Sequence, residues 1–444
     1  MKKGLFILLI FCFSLIVFSC SDDKEEYSAT GTTDNTTTTD TTAPTVSSIS
    51  PTDNQSGVSI SGNISVTFSE TMNTTTVTTN TSDYSCSGTL QVSSDSFSTC
   101  VKMSSSPSVS NSYKTFTVSS SDNLSYSTTY KIRVTTGVKD TSGNTLSSQY
   151  ETSSGFISVG LFVAVGDVAT ILTTTSDGTS WSSISYGGTE NLRAVTYVNN
   201  TFVTVGGGGM IFTSSDGITW DNRTSASGTS NSLNGVTYGN STFVTVGDSG
   251  TILTSSDGTS WDNRTSGRST EFFGIKYGNN IFVAVGKTSD GNISNTIGIL
   301  TSSDGISWDN RTHPSTSSDL LGVTYANSTF VIVGESGIIL TSSDGTTWTK
   351  RTLNINGRFN RVTYGNSTFV IVSDSYRTLT SSDGTTWDDN NRGSSTTLRG
   401  VIFANNTFTA VGNSGTIITS SDGISWTSST SGSSKRLYGV TYTE

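Results

Sequence analysis

The chain has 444 residues, more than one compact core holds outside a large β architecture, so length alone points to two or three domains. Only 13% of residues are charged, there are 4 Pro and 45 Gly, and no stretch beyond the N-terminus has amphipathic helical spacing, which excludes a helical bundle and favours β structure. A formal net charge of -10 excludes nucleic acid, which needs clustered Lys and Arg to displace counterions, and an acidic polar surface mainly promotes solubility.

The first twenty residues, MKKGLFILLIFCFSLIVFSC, carry two lysines, an apolar run and then Val17-Phe18-Ser19-Cys20, the order of a secretory signal. A small residue before a cysteine at the end of an apolar run resembles the bacterial lipobox. That resemblance implies a signal peptide over 1–19 and a diacylated Cys20 as the new N-terminus. Phe18 departs from the strictest spelling, and an uncleaved anchor helix of ~20 residues or an ordinary cleaved signal stay open. All three export the chain. Loss of Lys2 and Lys3 with the signal takes the formal charge from -10 to -12. Acyl chains on Cys20 would hold the protein to a membrane through ~0.8 kcal/mol per buried methylene. Residues 21–43, rich in Thr and Asp, bury too little to offset the entropy of folding and are expected to form a disordered tether of roughly 25 Å mean span.

Alternating apolar runs such as Gly62–Phe68, Thr115–Val118 and Thr129–Val134, divided by turn signals, read as the short strands of a β-sandwich over 44–155. The wording APTVSSISPTDNQSGVSISGNISVTFSETM, then LSYSTTYKIRV, then GVKDTSGNTL, resembles the SbsA-type bacterial Ig-like family, with Thr71 where that family usually has proline. Asp140 to Asn144 match its D-x-x-G-N turn. A Ca2+ site there is the alternative to plain turn chemistry, but the spacing matches no D-x-D-x-D-G loop, and no cofactor or metal is expected. Cys86 and Cys100 are the two cysteines left to meet an oxidising compartment, and they are expected to pair and staple an insertion hairpin. Closing that loop contributes ~3 kcal/mol in the chain-entropy picture.

From 156 to 444 one phrase repeats. Its tryptophans, Trp181, Trp220, Trp261, Trp308, Trp348, Trp387 and Trp426, lie 39, 41, 47, 40, 39 and 39 residues apart, the period of propellers and solenoids. Each unit reads LxGVTYGN, STFVxVGDSG, TILTSSDG and TSWDNRTS, four strands joined by Gly, Asn and Asp turns, which is a propeller blade. The LxGVTY strand is missing before Leu161 and appears unaccompanied at Leu437–Tyr442. A ring closed by the C-terminal strand explains both. The expected fold class is therefore all-β: an Ig-like sandwich followed by a seven-bladed propeller.

The phrase Ser-x-Asp-Gly-x-(Ser/Thr)-Trp resembles a shortened Asp-box of sialidase-type and photosystem II assembly-factor propellers. The resemblance implies structural turns, with Asp177, Asp216, Asp257, Asp304, Asp344, Asp383 and Asp422 accepting backbone N–H bonds and each tryptophan packing between sheets. Chemistry would come instead from the opposite loops, between second and third strands and between blades. There Asp167, Asp248, Glu335 and Asp374 form a partial ring that could hold a cation or a basic partner. The plainer reading, turn-forming acids, is the expectation.

Arg268, His313, Arg358, Lys435 and Arg436 lie between blades, and an insertion, Lys287 to Ile297 with Asp290 and Asn292, lengthens one loop. His313, the sole histidine, reads as a solvated residue. Arg223, Arg264, Arg311 and Arg351 each follow a box tryptophan by three residues and read as outer-strand structure, so no arginine cluster, nucleophile or general base is expected. The reading is a non-catalytic binding module for a protein or glycan partner, anchored in the bacterial envelope at the outer membrane or cell surface. A sialidase-like glycosidase and an envelope assembly factor are the alternatives. Replacing Cys20 by Ser is expected to move the protein from the membrane fraction to the soluble fraction; an unchanged distribution would exclude lipidation as the anchor.

Overall fold

A computed structural model describes residues 39–175, 180–185, 187–287, 298–314, 318–353, 355–391 and 396–443. The signal segment, Cys20, the tether up to residue 38 and Asp177 of the first box lie outside the described residues. The chain divides into two compact units, Met1–Thr42 and Ala43–Glu444, and the second holds both the sandwich and the repeat array.

In the sandwich, Val46–Ser50, Ile64–Phe68, Thr115–Val118 and Ser108–Ser110 form one antiparallel sheet, and Leu90–Ser93, Thr129–Val134, Tyr150–Glu151 and Phe156–Ile157 form the other. Burial alternates along Ile64–Phe68 and Thr129–Val134, as period-2 strands with one apolar face require. Those faces meet in a core that includes Val66, Phe68, Phe116, Ile132 and Val134. Cys86 and Cys100 are joined by a disulfide. The segment between them is not a separate hairpin: Leu90–Ser93 pairs with Thr129–Val134 inside the sheet, because its own apolar residues are buried there. Asn144 donates its backbone N–H and its side-chain amide to the two carboxylate oxygens of Asp140 at 2.8 and 2.7 Å, closing the turn.

Seven four-stranded antiparallel sheets follow among the described residues. In the first, Leu437–Tyr442 pairs with Leu161–Gly166, so the last strand of the chain completes the sheet that the first repeat begins. One blade cannot bury both faces of its sheet. Neighbours do it jointly: Val283, Val285 and Ile299 pack with Phe330, Ile332, Leu340 and Trp348 of the next blade. At the closure, Ala404, Val411 and Ile417 of the last blade pack on Phe162, Ala164, Leu172 and Leu437 of the first.

The box explains why the phrase is copied. At Thr341–Trp348, the Ser342 hydroxyl donates to Asp344 Oδ1 and accepts the Gly345 N–H, each at 2.8 Å, while Asp344 Oδ1 also accepts the N–H groups of Thr346 and Thr347 at 2.8 Å. Those backbone donors hold the Asp344 carboxyl well below its ordinary range. Gly345 has φ +73°, and a Cβ there would lie 2.4 Å from Ile281 of the preceding blade. Trp348 Nε1 donates to the Gly345 carbonyl at 3.1 Å, and its ring continues a radial aromatic row with Phe330 and Tyr325. The same carboxylate-to-backbone bond recurs at Asp216, Asp257, Asp304, Asp383 and Asp422. Six box tryptophans are buried and Trp308 is partly so.

The sandwich packs directly on this closure. Tyr126, buried among Leu161, Val163 and Trp220, donates its hydroxyl to the Asp216 carbonyl at 3.0 Å. Ser127 Oγ donates to the Thr443 carbonyl at 2.6 Å, and Thr443 Oγ1 accepts the Leu161 N–H at 2.8 Å. Deleting residues 437–444 removes the completing strand and bares an apolar edge. Denaturant unfolding is expected to show a loss larger than the ~2–5 kcal/mol of one buried Leu→Ala change; a wild-type midpoint would show that the last strand does not hold the ring.

Candidate functional site

Along each blade, the turn from first to second strand and the box turn open on one face, and the turn from second to third strand and the link to the next blade open on the other. The sandwich contacts the box face through Tyr126 and Asp216. The loop face is therefore the one where a site has room.

The first strand of every blade lies at the axis, and it is bulged at one place. Its pairing with the second strand skips one residue, as between Leu192 and Ala194 or between Leu233 and Gly235. The skipped residues are Tyr438, Arg193, Asn234, Phe273, Leu321, Asn360 and Arg399, in blade order. A bulge re-aims its side chain out of the pleat, and all seven line one cavity of about 210 Å³ at the loop-face mouth of the channel. Arg358 and Arg361 line it too.

One residue deeper, the inner strands come so close that Ala194, Gly235, Gly274, Gly322, Gly400 and Gly439 stand at six of the seven equivalent positions. A Cβ on Gly322 would lie 3.0 Å from the Cα of its counterpart in the next blade. That counterpart is Arg361. Its guanidinium reaches over the two preceding blades, donating from Nη1 to the carbonyls of Leu321 and Asn360 at 2.7 and 2.9 Å and from Nη2 to that of Phe273 at 3.3 Å. Burial, followed by the charges of Arg358 and Arg399, pushes its pKa down to about 10. Among the described residues, Arg193, Arg361 and Arg399 have no carboxylate within ion-pair distance.

The four turn acids, for which a cation-holding ring is the alternative to plain turn chemistry, stand behind this mouth as supports. Asp248 Oδ1 and Asp374 Oδ1 accept the amides of Asn234 and Asn360 at 2.8 and 3.0 Å. Asp167 accepts the Tyr438 hydroxyl at 2.7 Å and Arg436 Nε at 2.8 Å. Burial opposes its ionisation, yet the bonds from Arg436 and Tyr438 keep the Asp167 pKa below its ordinary value. Glu335 pairs with Arg358 at 3.5 Å. In the last blade Asn413 takes the same station and accepts Arg399 Nε at 2.7 Å. Each turn residue thus holds a partner on its own face instead of converging on a cation.

Lys287 pairs with Glu271 at 2.7 Å at the root of the insertion, while Asp290 and Asn292 lie outside the described residues. His313 is not solvated. It is buried at 7% exposure, its Nε2 has no hydrogen-bond partner among the described residues, and burial lowers its pKa. Arg223, Arg264, Arg311 and Arg351 bond Thr213, Thr254, Thr301 and Thr341 on their own blades, as outer-strand structure should.

An arginine cluster expected to be absent is therefore present, built from residues other than the repeated ones. Its sequence signal was the x of LxGVTY. That position holds seven side chains of mixed chemistry inside a phrase otherwise copied almost unchanged.

Comparison with known families agrees with the sandwich. Residues 40–156 match the family described as bacterial Ig-like domain. No curated protein matches the chain. Among solved structures, it is similar to YCF48 bound to D1 peptide, at 18% identity over 54% of this chain and 80% of that one with a TM-score of 0.43. YCF48 from Cyanidioschyzon merolae matches at 15% identity over 56% and 94%, TM-score 0.43. Streptogramin B lyase matches at 11% over 60% and 91%, TM-score 0.43. At such identities the likeness concerns the fold alone.

Replacing Arg361 by Gly, the residue of most other blades at that station, separates a plug from a binding group. The substitution removes a charge with no acidic partner, so stability is expected to stay within about 1 kcal/mol in denaturant melts. A loss of ~3 kcal/mol or more would mean that the three carbonyl bonds are structural cement.

Proposed function

We propose that the protein is an exported, non-catalytic binding module that uses the loop face of its propeller to hold a protein or glycan partner at the bacterial envelope, anchored through Cys20 at the outer membrane or cell surface. A bacterial Ig-like domain suits an extracellular or surface protein. The observation that carries the reading is the bulged ring: the frame is repeated, and the one side chain per blade aimed into the mouth varies.

The cluster of Arg193, Arg361, Arg399, Tyr438 and Asp167 gives a second reading, a glycosidase, a specific footing. Its protonation states oppose that use. Burial and the bond to Asp167 raise the Tyr438 pKa, which leaves a neutral phenol and not an activated nucleophile. The Asp167 carboxyl is kept ionised, whereas a general acid needs a raised pKa.

Binding of the unit from Ala43 onward to protein and glycan arrays is expected to give specific partners and to fall at least tenfold on replacing Arg399 by Glu at the mouth. Equal loss on replacing Arg264 by Glu, on an outer strand, would remove the face assignment. Hydrolysis of fluorogenic acidic glycosides would replace the binding reading with the enzymatic one.

A further inference from the structure

The loop-face mouth is divided by chemistry. Going round the ring, blades six, seven, one and two contribute Arg361, Arg399, Tyr438 and Arg193, while blades four and five contribute Phe273 and Leu321. One arc is cationic and aromatic, and the other is apolar. Beneath them Arg361 bonds the carbonyls of Leu321 and Phe273 on the two preceding blades.

The groups already satisfied decide what the free valences want. The Asn234 amide oxygen is taken by Arg193 at 3.0 Å, its NH2 by Asp248 and the Phe272 carbonyl, and the Tyr438 proton by Asp167. Among the described residues, Arg193, Arg361 and Arg399 line the cavity with guanidinium groups that no carboxylate meets within ion-pair distance. Arg399 is held by Asn413 from below and lies 5.4 Å from the Tyr438 ring centroid, which fixes its fork in place. A guanidinium fork matches a carboxylate in a bidentate pair, and that pairing strengthens where water is partly excluded. A neutral sugar hydroxyl can accept a guanidinium N–H but brings no charge to match it, so a carboxylate is the stronger partner. At about 210 Å³ the cavity is smaller than the ~300–1,000 Å³ of drug-sized sites, room for one residue-sized group.

We infer that the mouth takes a carboxylate carried beside an apolar group, as on a small hydrophobic acid or the last residue of a peptide. Arg193, Arg361 and Arg399 meet the carboxylate, and Phe273 and Leu321 meet the apolar part. The inference rests on the loop face being the binding face.

Calorimetric titration of the full chain with N-acetylleucine and with N-acetylleucinamide tests it. The acid is expected to bind at least tenfold more tightly than the amide. Replacing Arg193 or Arg399 by Gln should weaken the acid tenfold or more with near-ultraviolet circular dichroism unchanged, and replacing Phe273 by Ala should weaken it while acetate is unaffected. The Arg264→Gln control on an outer strand should bind as wild type.

Equal binding of acid and amide, an effect of Arg264→Gln equal to that of Arg399→Gln, or tighter binding of glucuronate than of N-acetylleucine would each overturn the inference. A peptide ending in free leucine that binds more tightly than the free acid identifies a chain end as the source; equal affinities identify a small acid. If a partner's binding is lost with Arg399→Glu yet N-acetylleucine neither binds nor competes, the carboxylate inference fails and the loop-face reading stands. Absence of any loop-face partner removes that reading instead.

Discussion

Seven inner strands crowd one axis, and the rest of the molecule adjusts to that crowding. At the station one step below the mouth, backbone faces backbone across the blade boundaries, and six of the seven positions are reduced to Gly or Ala because a larger side chain has no space. Close approach lets each sheet bury its faces against the next, which supplies the cores that no blade has alone. It also pushes the side chains preceding this station outward. The bulge in every inner strand is the local solution, giving the extra residue a place to point while the ladder resumes beyond it.

From that geometry follows a separation of tasks. The box turns are stabilised by bonds internal to the turn and by an aromatic row within the blade, so they repeat without regard to their neighbours. The mouth is fed by one bulged residue per blade; Asn234 and Asn360 also bond the carbonyls of Phe272 and Leu398 in the next blade, so these two tie the frame together as well as lining the mouth. Turn acids at Asp167, Asp248 and Asp374 connect the two by holding a bulged side chain from behind. Arg361 breaks the pattern at the tightest station. Its charge is tolerated there because three backbone carbonyls solvate it.

The closure couples the two folded parts. Ser127 of the sandwich bonds the carbonyl of Thr443, directly after the strand that completes the ring, and Tyr126 extends the same apolar cluster onto the first two blades. The box face is thereby partly covered, and the more variable face stays open.

The sequence by itself determined the sandwich, the repeat and its strand order, which depend on short-range pattern: alternation, turn residues and period. Counting strands over the whole array and cysteines over the whole chain pointed to the closing strand and the disulfide. It also marked the box as structure, since Asp344 and Trp348 bond within eight residues of chain. Only the tertiary structure decided what stands at the mouth. Arg193, Arg361 and Arg399 are separated by up to 206 residues, and although each falls in a copy of the LxGVTY strand, nothing within one copy shows that the copies meet at an axis. The turn acids looked like a possible cation ring because the Asn and Tyr that occupy them belong to a different strand. His313 looked solvated because nothing local encloses it. Convergence at an axis is set by the ring's closure, a contact between the two ends of the array, and no window of sequence contains both ends.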